Sequence, residues 1–263
     1  MKAYWSYFSA RFRMMLQYRA AAMAGLVTQV FWGFIRIMIL GGFYAATTAE
    51  QPMTYQEVIV YVWLGQAMFR LLPWSMDREL MTMVRTGNVA YELLRPLDLY
   101  WVWYARTAAG RIAPTLLRCA PMFALAGLFF GLTPPASPAS GLAWVAATAC
   151  AVLLATSISV LAAATMFWTV SGEGMRTLLP TLVLVFSGML VPLPLFPDWA
   201  QGIIRALPFR GLADLPFRLY MGHLPPSEVI PVMAHQLAWT AILITAGKLL
   251  LARGKRRLVV QGG

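Results

Sequence analysis

The sequence predicts an all-α membrane protein with several transmembrane helices. Of its 263 residues, 60% are hydrophobic and only 12% are charged, and the mean hydropathy is +0.65. In an average soluble protein about a quarter of the residues are charged, so this composition lies outside the soluble range. Several apolar runs exceed the roughly 20 residues that a helix needs to cross the hydrocarbon core of a bilayer. No segment resembles a separate soluble domain, so we expect one transmembrane domain over residues 1–263.

The basic residues alternate with the apolar runs. The net charge is +11, and most of the 21 Lys and Arg residues fall within 2–19, 70–118 and 248–257. The loops 47–55 and 132–140 contain none. This alternation follows the positive-inside rule, and it predicts a multi-pass membrane protein with both termini in the cytoplasm. The basicity therefore indicates membrane topology, and nucleic acid is not an expected partner.

Residues 2–18 are predicted to form an amphipathic helix that contacts membrane lipids. Polar and basic side chains recur every three or four positions on one face: Lys2, Ser6, Ser9, Arg13 and Gln17. Large apolar side chains line the other face: Trp5, Phe8, Phe12, and Met15 or Leu16. A basic face beside an aromatic face is typical of a helix that lies in the plane of the interface. The alternative is a cytoplasmic extension of the first span.

Six transmembrane spans follow this helix. They are predicted at about 20–46, 55–74, 106–131, 141–169, 175–193 and 229–252, by the length and apolarity of each run. A more polar cytoplasmic region, 77–105, separates the second and third spans. Between the fifth and sixth spans, the closely spaced prolines of segment 194–226 leave pieces too short to cross a bilayer. We expect this segment to form a re-entrant hairpin or interfacial helices on the outer side.

The stretch RTGNVAYELLRP, residues 85–96, is polar for its surroundings. Gly87-Asn88 is a turn signal, Asn88 is predicted to cap a helix, and Pro96 ends that helix after two turns. Its apolar side chains, flanked by charged residues, suit docking into a groove of a soluble partner. The alternative is a linker that lies on lipid headgroups. The candidate contact residues are Arg85, Asn88, Val89, Tyr91, Glu92, Leu93, Leu94 and Arg95.

Motifs of catalysis and nucleotide binding are missing from the sequence. It contains no His-Glu-x-x-His or Gly-x-Ser-x-Gly sequence, and His223 and His235 belong to different elements. The phosphate-binding sequence Gly-x-x-x-x-Gly-Lys-Ser/Thr is also absent. We therefore expect no catalytic residue, metal or cofactor in this chain. If the protein uses ATP, another chain must bind it.

Four residues are candidates for a polar path through the membrane. Arg36 lies near the middle of the first span, seven residues after Gln29. A charge at that depth costs roughly 2.5–3.5 kcal/mol, so Arg36 should face the bundle or a wet cavity. Ser187 and Gly188 precede two prolines, which lets the outer end of the fifth span break and form a gate or plug. The alternatives are an interhelical hydrogen bond for Arg36 and a plain loop at Ser187-Gly188.

Over essentially its full length, the chain resembles the type-two ABC-transporter permeases, the export-type membrane subunits. The amphipathic start resembles the elbow helix of that family. Residues 85–96 are similar to the cytoplasmic segment of a subgroup whose permeases are often encoded in pairs beside one ATPase. Residues 186–199, continuing to 207–209, resemble the fifth span and the re-entrant outer hairpin.

The resemblance implies a permease subunit of an ATP-driven exporter in a bacterial inner membrane. Such a subunit pairs with a second copy of itself or with a sister permease, and it sits on a dimer of cytoplasmic ABC ATPase subunits that bind ATP and Mg. Residues 85–96 then form the coupling helix. Arg36 and the outer arginines Arg205, Arg210 and Arg218 do not match the family pattern. The alternative function is an ion-gradient-driven secondary transporter or channel, which needs central intramembrane Asp or Glu residues that the predicted spans lack.

Overall fold

The computed structural model describes residues 2–169 and 173–255, and the regular secondary structure of these residues is entirely helical. The predicted all-α class is therefore confirmed. The α-helices are α1 Lys2–Leu16, α2 Arg19–Ala46, α3 Tyr55–Ala67, α4 Arg78–Arg85, α5 Val89–Leu93, α6 Leu99–Phe129, α7 Pro138–Ala164, α8 Glu173–Phe186, α9 Asp198–Ala206, α10 Asp214–Met221 and α11 Val229–Gly254. The loop between the fourth and fifth predicted spans and the end of the basic range 248–257 lie partly outside the described residues.

Four helical segments of the described chain are long and apolar enough to cross a membrane. They are Arg19–Ala46, Leu99–Phe129, Pro138–Phe167 and Pro226–Gly254. These segments correspond to the first, third, fourth and last predicted spans, so the chain is a polytopic helical protein. The bundle has an end that carries α1, α4 and α5, called the α1 end below, and an opposite end that carries α9 and α10, called the α10 end.

The third of these spans begins earlier than the sequence predicts. α6 starts at Leu99, not near residue 106, because the Asp98 side chain caps it. The Asp98 carboxylate accepts hydrogen bonds from the backbone N–H of Tyr100 (2.9 Å) and of Trp101 (3.4 Å). α6 therefore extends beyond the apolar run and projects from the α1 end of the bundle.

The other two predicted spans, 55–74 and 175–193, fall on shorter helices. α3 has 13 residues and is about 20 Å long, which is less than the roughly 30 Å of a hydrocarbon core. All of its residues from Val60 to Ala67 are buried, so protein surrounds it. α8 ends at Phe186, because Ser187 and Gly188 turn the chain out of the helix. These lengths do not by themselves establish six spans.

A buried arginine of α6 accommodates the early end of α3. After Ala67 the chain makes a 3-10 turn at Phe69–Leu71, and the last carbonyl groups of this element have no helical partner. The Arg111 guanidinium donates to the carbonyl oxygens of Leu71 (3.0 Å) and Leu72 (2.6 Å), and also to the Ser159 hydroxyl of α7. Arg111 is only 8% exposed. One side chain therefore joins the end of α3 to α6 and α7.

The predicted amphipathic helix is present as α1, two residues shorter than predicted at its C-terminal end. Trp5, Phe8 and Phe12 form a row of stacked rings along it, with centroid distances of 5.1 Å and 5.7 Å. A third face, which the sequence pattern did not reveal, packs Tyr4 and Tyr7 against the α1 end of the bundle. α1 is therefore attached to the protein by one face, while its aromatic row remains on another.

The Pro-rich segment 194–226 forms the short helices α9 and α10. α10 is largely buried, and its Phe217 packs edge-to-face on Tyr61 of α3 with a centroid distance of 5.2 Å. α9 keeps Trp199 and Ile203 exposed. The sequence correctly predicts helices too short to span a membrane, and the structure adds that α10 covers one end of α3.

Arg218 has an acidic partner in this segment, which is Asp214 at the start of α10. The Asp214 carboxylate is buried, accepts a hydrogen bond from the Tyr61 hydroxyl (3.2 Å) and lies 3.9 Å from the Arg218 guanidinium. Burial raises the pKa of Asp214 to about 6, although Arg218 and Arg210 act in the opposite direction. Nearby, His223 and Glu57 lie 2.7 Å apart and join this segment to the start of α3.

Arg111→Met should destabilise the bundle, because it removes the donor to the Leu71 carbonyl and to the Ser159 hydroxyl and leaves the Leu72 carbonyl with the Trp74 N–H alone. We expect a cost of about 1–3 kcal/mol and a fall of several degrees in the Tm of the detergent-solubilised protein. The Tm of Arg111→Lys should lie between the Tm of the wild type and that of Arg111→Met. Arg118→Met is the matched control, since Arg118 donates to a single carbonyl, that of Ala21 (3.2 Å). An Arg111→Met Tm equal to that of the wild type contradicts the assignment.

Asp214→Asn should change the pH dependence of stability. Because the folded-state pKa of Asp214 lies above its ordinary value, the native state holds this proton more tightly than the unfolded chain does. Its contribution to stability is full below about pH 4 and is lost as the pH rises through about 6. The Tm of Asp214→Asn relative to wild type should therefore increase between pH 4 and pH 6.5 and then level off. A constant difference across this range is the contrary result.

Candidate functional site

The segment 85–96 forms a tight turn and a short helix at the α1 end. Gly87 has a φ of +74°, a conformation that favours glycine, and it separates α4 from α5. α5 covers Val89–Leu93 and ends two residues earlier than predicted, and a turn bond from the Arg95 N–H to the Glu92 carbonyl (3.3 Å) follows it.

The predicted cap at Asn88 is wrong. Asn88 has helical backbone angles and its side chain makes no capping hydrogen bond. The reason is that the helical turn already begins at Gly87, whose carbonyl accepts from the Ala90 N–H (2.9 Å). A capping side chain needs an extended backbone at its own position, which Asn88 does not have.

The apolar residues of α5 divide into an anchor and an exposed group. Val89 is 0% exposed and packs in a cluster with Leu80, Leu99 and Trp103. The other apolar side chains point away from this cluster. They form what we call the exposed tip: Tyr91 at 70%, Leu93 at 37% and Leu94 at 82% exposure. Of the candidate apolar contacts, only these three are available to a partner.

The charged residues of the segment connect it to its surroundings. Glu92 and Arg95 form an ion pair at 3.7 Å along the chain. Arg95 also contacts the Tyr7 hydroxyl of α1, and its guanidinium lies 5.9 Å from the Tyr7 ring centroid. The Tyr4 hydroxyl of α1 accepts a hydrogen bond from the Asp98 N–H at 3.1 Å. Arg85 is exposed in the last turn of α4. The segment is therefore attached to α1 as well as to α6.

A network of charges that sequence reasoning missed joins α1, α4 and α6. Asp77 caps α4 by accepting from the Glu79 N–H (2.9 Å), and its other oxygen lies 3.3 Å from Arg106 of α6. Arg11 of α1 lies 3.0 Å from Glu79, which also contacts Arg106. The sequence Asp-x-Glu at 77–79 could have predicted the cap of α4. The ion pairs could not be predicted, because the basic partners come from helices that are distant in the sequence.

Gln29 and Arg36 lie on the face of α2 that packs against the bundle. Gln29 is buried, and neither polar atom of its side-chain amide has a hydrogen-bond partner among the described residues. Between them, Gly33 lets α2 approach α3 closely, since a Cβ there would lie 2.6 Å from the Trp63 ring. Arg36 is half-buried and forms no hydrogen bond or ion pair within residues 2–169 and 173–255. The interhelical hydrogen bond considered for Arg36 is thus not formed with the described chain.

Ser187 and Gly188 form a tightly packed break at the end of α8. Gly188 has a φ of +88°, and a Cβ there would lie 2.1 Å from the Tyr61 hydroxyl. The next residue, Met189, packs where Gly65 of α3 provides space. Ser187 is buried, and its hydroxyl has no partner in the described chain. The structure does not bring Ser187 and Gly188 together with Gln29 and Arg36, although both pairs lie beside α3.

The described residues, 2–169 and 173–255, contain no group of three or more His, Cys, Asp or Glu side chains that could hold a metal ion. The two thiols, Cys119 and Cys150, lie on different helices and are not joined in a disulfide.

Comparison with known proteins gives one family. The model of the family described as ABC-2 family transporter protein matches residues 30–262, which is most of the chain. No curated protein and no solved structure matches the chain. The matched range includes the 85–96 segment and the broken fifth helix, and it begins after the amphipathic start. The chain therefore belongs to the ABC-2 transporter family and is a multi-pass type-two ABC-transporter permease.

Proposed function

We propose that this permease is the membrane subunit of an ATP-driven exporter in a bacterial inner membrane, with both termini in the cytoplasm. Two permeases, either two copies or this chain and a sister, form the path, and a dimer of cytoplasmic ABC ATPase subunits binds ATP and Mg. The observation that carries the proposal is the exposed tip of Tyr91, Leu93 and Leu94 on an otherwise anchored helix. Exposed large apolar side chains on a short cytoplasmic helix favour docking into a groove of a soluble protein.

The way in which α5 packs against α6 supports the role of the exposed tip as a coupling element. Val89 fixes α5 to the start of α6 through the cluster with Leu99 and Trp103. α6 in turn holds the end of α3 through Arg111. Closure of the ATPase dimer therefore pushes α5, and α6 carries this movement as a rigid body to the centre of the bundle. Hydrolysis itself takes place on the partner.

The translocation path is proposed to run beside α2, α3 and α8. Gln29 and Arg36 supply unpaired polar groups on one side of α3, and Ser187 and Gly188 form the exit-side gate on the other. α2 also keeps large apolar side chains exposed away from the bundle, including Val27, Phe31 and Met38. This face is available to lipid and to the second permease. In this arrangement α3 and α8 serve as the second and fifth of six spans, and 194–226 is the re-entrant outer hairpin.

The alternative is a secondary transporter driven by an ion gradient, and one residue is a candidate for its ion-coupling site. Asp214 is a buried carboxylate, but it lies in α10 and is already hydrogen-bonded to Tyr61. If transport continues without ATP, collapses with the proton gradient and is lost in Asp214→Asn, the alternative is correct. An assembly role is a third possibility, and it requires the phenotype to persist when the partner ATPase gene is deleted.

Leu94→Asp and Leu93→Asp should detach or uncouple the ATPase while leaving the permease folded. The physical reason is that a carboxylate does not enter an apolar groove, whereas an exposed position accepts it without cost to the fold. Burying one leucine side chain contributes about 1.5–3 kcal/mol, so its loss should weaken ATPase association at least tenfold. The measurement is co-purification of the ATPase with the solubilised permease, together with transport in vesicles.

Thr82→Asp is the matched control, because it adds the same charge at an exposed position on the neighbouring helix α4. It should leave association unchanged. Val89→Asp should instead reduce the amount of folded permease, because Val89 is buried. Wild-type recruitment of the ATPase and wild-type transport in Leu94→Asp would remove the coupling role from the exposed tip.

A further inference from the structure

A polar cavity lies at the α1 end, separate from the exposed tip and from the path candidates. Its volume is about 420 Å³, within the usual range of small-molecule sites. α1, the 3-10 turn after α3, the start of α4, α6 and α7 all contribute to its wall. Its charged lining consists of Arg11, Arg70, Arg78, Arg111, Asp77 and Glu79. Four of these six residues are arginines.

The two carboxylates do not neutralise this wall. Asp77 is occupied by the cap of α4 and by Arg106, which lies 3.3 Å away. Glu79 is paired with Arg11 at 3.0 Å and with Arg106. Because Arg11 and Arg106 already match the two acids, the charges of the remaining arginines are in excess.

Of the three remaining arginines, Arg70 and Arg78 have no acidic partner in the described chain, while Arg111 is attracted by Asp77, which also pairs with Arg106. Arg111 donates to the neutral oxygens of Leu71, Leu72 and Ser159, and its Nε is buried without an acceptor. Arg70 and Arg78 are exposed on the wall, and their side chains make no hydrogen bond or ion pair with the described residues. Arg70 also lies close enough to Arg111 for mutual repulsion. An anion in the cavity would relieve this repulsion and use the free donors.

The position of α1 sets the depth of the cavity in the membrane. Arg11 of α1 lines the cavity, while the stacked Trp5, Phe8 and Phe12 occupy another face of the same helix. An aromatic row of this kind lies at the boundary of headgroups and acyl chains. The cavity therefore lies at headgroup level, where anionic phosphate groups are concentrated on the cytoplasmic leaflet.

We propose that this cavity is a binding site for a phosphate-bearing anion, held by Arg70 and Arg78 with Arg111 behind them. The planar guanidinium fork matches phosphate oxygens in a bidentate way, so arginine is well suited to this ligand. The anion is either the headgroup of an inner-leaflet lipid or a soluble phosphate compound. The site shares the membrane orientation of the proposed function, but it does not depend on coupling to an ATPase.

Native mass spectrometry of the full chain in a non-ionic detergent tests the site without any ATPase. The probes are dioleoyl phosphatidylglycerol and glycerol 3-phosphate, which carry related phosphate groups with and without acyl chains. Arg70→Gln and Arg78→Gln should each weaken binding about tenfold, the effect of losing a charge-assisted hydrogen bond. Arg13→Gln is the charge-matched control, since Arg13 is exposed on α1 and lies outside the cavity. Unchanged Tm values show that each variant is folded. Arg70→Gln and Arg78→Gln are two independent tests of the same cavity.

Binding of phosphatidylglycerol alone, weakened by both cavity variants and not by Arg13→Gln, assigns the site to a lipid headgroup. Binding of glycerol 3-phosphate with the same variant pattern assigns it to a soluble phosphate compound. The proposal is overturned if neither probe binds, if Arg70→Gln and Arg78→Gln bind like wild type, or if Arg13→Gln weakens binding equally. Because the readout is binding to the permease alone, this failure is distinct from failure of ATPase coupling.

Discussion

The contact between Arg111 and the carbonyl groups of Leu71 and Leu72 is the constraint on which the rest of the bundle depends. A helix that ends inside an apolar bundle leaves carbonyl groups that neither water nor lipid can satisfy. Arg111 donates from α6 to the carbonyl groups of the turn that follows α3. The chain can then leave the centre of the bundle early and reach α4.

This early exit also brings the functional elements together at the α1 end. The segment after α3 contributes Arg70 to the cavity wall and Asp77 to the ion-pair network, and it continues through α4 to the exposed tip. α6 carries both Arg111 and the residues that anchor Val89. The proposed coupling passes a displacement of α5 to α3 through this one helix. At the break after α8, Gly188 packs tightly against Tyr61 in the middle of α3.

The sequence was sufficient for the features that depend on local pattern. Apolar runs predicted the all-α class and four long apolar helices, the period of residues 2–18 predicted a helix there, and the prolines after Gly188 predicted short helices. The features it could not give depend on contacts between distant residues. Examples are the acceptors of Arg111, the partner of Arg218 and the tyrosine face of α1. The predicted cap at Asn88 was wrong for a local reason, because the turn at Gly87 starts the helix one residue earlier.

The most direct test of the central claim is site-specific photo-crosslinking in cells that produce the permease together with the proposed ABC ATPase partner. A photoreactive residue at Leu94 or Tyr91 should crosslink to the ATPase, because these side chains are exposed at the end of the anchored helix. The same probe at Trp199 on α9, which is equally exposed at the opposite end, should not crosslink to it. Crosslinks from Trp199, or none from Leu94 and Tyr91, would contradict the proposed coupling through α5.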